Sequence, residues 1–167
     1  MRGILHLELS RSDGSVVATR DARNTVLRSG GELVAGLFTG SAGPITHMAV
    51  GTSDADPTSV DVTALANDDG NGAPGLTGAT VAAIPPEAFG IAVDAELRRV
   101  VVKVRATLPD DAAIGTVREA GLMSRQGATD ILYNRVIFPP VTKSDDHDLT
   151  MFWEVEFPFG DLQWLVR

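Results

Sequence analysis

The side chains that could do chemistry are few in kind. The 167-residue chain has no cysteine and three histidines, His6, His47 and His147. Without thiols there is no disulfide staple, no thiolate nucleophile and no zinc–thiolate site. His6 lies in an alternating apolar segment with no second metal ligand at usable spacing. His47 lies in another, with no serine or cysteine motif beside it. Asp145-Asp146-His147-Asp148 offers hard oxygens and one imidazole, but adjacent residues on one loop rarely converge on a single ion. A charged, soluble turn is the expectation there. Asp68-Asp69-Gly70-Asn71-Gly72 fails as an EF-hand loop, because the twelfth position, which needs a bidentate Glu, is Ala79. It reads as a solvated acidic turn, as do Asp54 and Asp56. Gly30-Gly31 lacks the Gly-Lys-Ser/Thr ending of a phosphate loop, and neither G-x-S-x-G nor H-E-x-x-H occurs. Paired carboxylates are the one catalytic constellation that the sequence leaves open. The expectation is therefore no catalytic residue, no metal and no cofactor.

Charge narrows the partners. Lys and Arg total 14 against 22 Asp and Glu, a formal net charge of -8, with an isoelectric point near 4.7. Phosphate backbones and anionic membrane faces both need a basic surface, so neither nucleic acid nor a membrane is expected. No run approaches the roughly 20 apolar residues of a membrane span. The first residues alternate rather than forming a signal peptide. A soluble protein made in the cytoplasm is the expectation.

The elements that would position any site read mostly as strands. At 44% apolar residues, the chain can bury a real core as one domain. Residues 1–157 are read as that domain and 158–167 as an apolar tail. Leu5, Leu7 and Leu9 alternate with polar residues, Asp13-Gly14 signals a hairpin, and 16–23 returns, giving an N-terminal hairpin over 1–24. Leu27, Val34, Leu37 and Phe38 recur at helical spacing, with Asn24 or Thr25 as the N-cap and Gly40 as the stop. Residues 45–51 form a strand, and 52–80 a long polar loop anchored by Val60, Val62, Leu65 and Leu76. Residues 81–84 form a short strand, and the β-branched run 100–108 a central one. Residues 117–123 and 131–138 flank a polar turn at 124–128 and make a second hairpin, around which the chain is organised. The strand 149–157 is expected beside that hairpin. The fold class is mostly β: a sandwich-like or open-barrel antiparallel domain with one helix and a long polar loop.

Two groups stand out from this scaffold. Glu119 sits among Ala120-Gly121-Leu122 and needs a cationic partner, Arg118 or Arg135. Asn134-Arg135 likewise interrupts an apolar strand, so its polar groups should be satisfied across the sheet or an interface. Phe152 breaks the polar face of the last strand. Phe159, Leu162, Trp164 and Leu165 make the tail apolar where chain ends are normally polar. These five residues are the candidates for a subunit or partner interface. A carbohydrate- or cell-surface-binding module, with Trp153, Trp164 or Tyr133 as stacking platform, is the rival, weakened by an aromatic content of 5%.

Three segments in order carry a resemblance: Ile45-Thr46-His47-Met48-Ala49-Val50-Gly51, then Arg118-Glu119-Ala120-Gly121-Leu122-Met123, then Tyr133-Asn134-Arg135-Val136-Ile137-Phe138-Pro139-Pro140-Val141-Thr142-Lys143. Over about 27–157 the chain resembles the tail-collar domain at the baseplate-proximal end of bacteriophage tail fibres. It is also similar to small tail-associated proteins of phages and phage-derived contractile injection particles. The resemblance implies a mostly β domain without catalytic residues that attaches a fibre to the tail baseplate. The extra N-terminal hairpin, and an end at Arg167 without shaft or tip, turn the expectation from host recognition towards a structural adaptor. Other tail, baseplate or fibre proteins would be its partners, and symmetric particles imply repeated copies, with trimers among the forms considered. The implied location is the virion or a phage-tail-like particle, assembled in the bacterial cytoplasm.

Overall fold

The computed structural model describes residues 2–67 and 75–160. Eleven strands and one α-helix fill these residues: β1 (Arg2–Arg11), β2 (Val16–Arg23), β3 (Thr25–Val26), α1 (Arg28–Thr39), β4 (His47–Gly51), β5 (Val81–Ala83), β6 (Phe89–Asp94), β7 (Arg99–Leu108), β8 (Gly115–Gln126), β9 (Thr129–Leu132), β10 (Asn134–Lys143) and β11 (His147–Pro158). They form two antiparallel sheets. The first runs β2-β1-β11-β7-β6, the second β3-β10-β8-β4-β5 with β9 paired to β8. The mostly β, sandwich-like architecture with a single helix is as the sequence leads one to expect.

Alternation explains the first sheet. Leu5, Leu7 and Leu9 point inward from β1, and Leu149, Met151, Trp153 and Val155 do so from β11 beside it. Val104, Ala106 and Leu108 continue that face on β7. Gly14, at φ 82, makes the β1–β2 turn where a side chain would be strained. At one side the two sheets are tied together by Arg20, whose guanidinium donates to the carbonyls of Pro139 (3.2 Å) and Pro140 (3.0 Å).

β8 is buried on both faces. Ala120 and Leu122 face the main core, whereas Met123 joins Leu27, Ala49 and Leu132 in a smaller cluster on the other side. Part of the long loop covers that side, with Val62 and Leu65 packed on the small cluster.

Several expectations need correction. The strand expected beside the second hairpin, β11, lies in the other sheet between β1 and β7. Its inward alternation matches that of β1 over ten paired residues, and such a long-range partner leaves no local signal. The second hairpin turns at Gly127 (φ 64), within the expected 124–128, though β8 runs on to Gln126, and its return breaks at Tyr133 between β9 and β10. There the backbone turns to other work: Tyr133 N–H donates to Leu122 O, and Tyr133 O accepts from Leu27 N–H. Neither Asn24 nor Thr25 caps α1. The cap residue is Leu27, without a side-chain hydrogen bond, and Arg28 N–H at the helix start donates to Val60 O. A tertiary carbonyl thus satisfies one of the orphan donors of the first turn. Gly40, at φ 70, ends α1 as expected. β6 is absent from the sequence reading, because its Ile91 and Val93 follow Pro85-Pro86, which reads as a break.

Candidate interaction surface

Two features rise above the scaffold, one polar and buried, the other apolar and open. The polar one is built on β8 and β10. Arg135 Nε donates to Glu119 Oε2 at 2.6 Å, and the side chains are 6% and 1% exposed. Glu119 Oε1 also accepts the N–H groups of Ala66 (2.8 Å) and Ser53 (3.4 Å). Arg135 in turn donates to the carbonyl of Asp56 (3.1 Å). One buried ion pair therefore holds the first half of the long loop, at residues 53, 56 and 66. Gly51 is required beside it, since a Cβ there would strike the Glu119 carboxylate and the Ala66 carbonyl.

Of the two cations considered for Glu119, Arg135 is the partner. Arg118 instead pairs with Asp54 of the long loop at 3.1 Å. The Asn134 carboxamide oxygen accepts Leu122 N–H at 2.8 Å, a polar group satisfied across the sheet. Lys143 is a buried cation that the sequence reading missed. It is 1% exposed and donates to Asp110 O at 2.9 Å, and burial pushes its pKa below the ordinary lysine value. The available signal was its parity with Val141, which is also buried.

The apolar feature is a groove of about 600 Å³ opening between the sheets beside α1. One wall is the inner face of the first sheet, with Ile91, Val102, Val155 and Phe157. The facing wall includes Leu33 and Leu37 of α1 with Ile45. The helix is held there by close packing: a Cβ on Gly30 would collide with the Tyr133 carbonyl oxygen, and Ser29 Oγ donates to Leu132 O at 2.6 Å. Thr46 and Tyr133 are the polar residues among the described lining. Burial pushes the Tyr133 phenol up to about 12, so it stays protonated at any physiological pH. Ile91 in this lining is 75% exposed, and Val93, two residues further along β6, is 68% exposed.

The remaining sites fall into place around these two. The protonated His6 ring donates to Asp21 (2.7 Å) and Glu8 (3.2 Å) on the outer face of the first sheet. The hydrogen bond to Asp21, then that to Glu8, holds its pKa above the ordinary imidazole value. Phe152 is half-buried on the same face, between the His6 ring and the Arg105 guanidinium. His47 bonds Thr46 Oγ1 at 2.8 Å, and His147 pairs with Asp146 within its turn. No group of three or more potential metal ligands occurs among the described residues. Trp153 and Tyr133 are 1% and 3% exposed, so neither can serve as a stacking platform. Phe159 is described and 39% exposed, but Leu162, Trp164, Leu165 and the tract 68–72 lie outside the described residues.

No protein-family model, curated protein or solved structure matches the chain.

Proposed function

We propose that the protein is a non-enzymatic structural component of a phage tail or related contractile injection particle, acting as an adaptor between baseplate and fibre or peripheral proteins. The observation that carries this reading is the open apolar groove with its exposed rim. A surface of this kind gains free energy by covering hydrocarbon, which is what association with another protein does. Among its described lining residues Thr46 and Tyr133 are the polar ones, with no carboxylate or imidazole beside them. The resemblance to tail-collar domains adds the particle. Two of the segments that carry it, β4 and β8, are neighbours in the second sheet, with Ala49 opposite Gly121.

Buried Trp153 and Tyr133 count against the carbohydrate-binding reading, which needs exposed rings. The test is to delete the gene in a particle-producing strain and purify the particles. Mass spectrometry should find the chain in wild-type particles, and the deletion particles should lack fibres or a peripheral tail protein. Wild-type particles without the chain, or a deletion that leaves fibre attachment intact, would overturn the reading.

A further inference from the structure

We propose that the free edge of β6 binds a second copy of this chain, the two β6 strands pairing antiparallel so that the two five-stranded sheets run on as one. This inference rests on the assembly reading above and names the contact between copies.

An edge strand leaves the backbone N–H and C=O groups of alternate residues without a ladder partner. Folded proteins guard such edges with lysine, proline, a bulge or a covering element. β6 lacks the first three. It reads Phe89-Gly90-Ile91-Ala92-Val93-Asp94, with no basic residue and no proline. Its pairing with β7 runs from Phe89–Val104 to Asp94–Arg99 without a register shift. Among the described residues β7 is its one strand partner. Gly90, Ile91, Ala92 and Val93 are all exposed, Ile91 by 75% and Val93 by 68%. The other sheet ends differ. β3 and β5 are two and three residues long, and β2 carries Arg20, Asp21 and Arg23.

Symmetry and charge point to the partner. Each copy has a net charge of -8, so two copies repel over most of their surfaces. The one charge on β6 is Asp94, and Arg99 holds it at 3.2 Å. A twofold axis normal to the sheet makes the two strands antiparallel and keeps both inner faces on the same side. With Ala92 on that axis, Ile91 of each copy lies opposite Val93 of the other, and Gly90 lies opposite Asp94. The β-branched pairs then share the inner face, on which Ile91 already lines the groove. The small residues Gly90 and Ala92 share the outer face, and the two Asp94 carboxylates stay at opposite ends of the ladder. One strand thus supplies both halves of a self-complementary contact.

The chain has no cysteine, so a single introduced thiol reports the contact. Full-length Ala92→Cys, with its thiol on the axis, is treated with a short bismaleimide. Val16→Cys, at a position 52% exposed on β2, is the collision control. The expected result is a covalent dimer that forms several-fold faster from Ala92→Cys than from Val16→Cys. Adding Val93→Lys to Ala92→Cys should slow that reaction several-fold, with the circular dichroism unchanged, because a lysine guards the edge. Equal rates for the two thiols would overturn the proposal. So would an Ala92→Cys rate indifferent to a folded Val93→Lys. Neither failure touches the adaptor reading, which the particle composition decides separately.

Discussion

Arg135 and Glu119 form an ion pair 2.6 Å long with both side chains almost wholly buried, and the loop carrying residues 53, 56 and 66 hangs on it. Taking two charges out of water is costly unless their remaining hydrogen-bonding capacity is used. Here it is, by two backbone N–H groups on the carboxylate and a backbone carbonyl on the guanidinium. The pair is best understood as a device that fixes the loop on the outer side of β8.

Removing one member should therefore be expensive. Glu119→Ala leaves a buried guanidinium and two backbone donors without their acceptor, and should cost about 3–5 kcal/mol in urea unfolding. The double variant Glu119→Ala with Arg135→Met should lose much less than the sum of the single losses. Full additivity would show that the two residues do not act as a pair.

The helix wall of the groove depends on Gly30. Gly30→Ala places a methyl group against the Tyr133 carbonyl, and should destabilise the fold by about 1–3 kcal/mol despite alanine's better helix propensity. Gly31→Ala meets nothing within 4 Å and should be neutral or slightly stabilising. Thermal unfolding of the two variants checks the contrast, and equal effects would remove the close approach from the account.

His6 gives a pH signature. Its bonds to Asp21 and Glu8 favour the protonated ring, so the folded pKa is raised above 6.5. The stabilisation it gives is full below about 6.5 and is lost as the pH rises through the raised folded value. NMR titration should find His6 above 6.5, and Asp21→Asn should bring it down. A His6 value unmoved by that change would contradict the assignment.

Local signals made much of this fold legible. Asp13-Gly14 announced the first hairpin, Gly40 the end of α1, and the β-branched run 100–108 a strand paired on both sides. What escaped was non-local. The sheet to which β11 belongs, the choice of Arg135 over Arg118, and the burial of Lys143 depend on contacts between segments far apart in sequence. The helix start misled for a related reason, since its donors are met by Tyr133 and Val60 carbonyls rather than by a neighbouring side chain. The groove was not legible at all. Its walls come from β6, β7, β11 and α1 together, and β6 itself was hidden behind two prolines.

The adaptor reading implies repeated copies of the chain joined through the exposed rim of the groove, and light scattering on the full chain and on Ile91→Asp tests that claim most directly. Ile91 is 75% exposed, so a charge there should leave the fold intact while penalising any partner that covers it. The expected result is an oligomer for the native chain that falls to the 17.6 kDa monomer in Ile91→Asp. A native chain that is already monomeric at high concentration, or an oligomer indifferent to the aspartate, would contradict the claim.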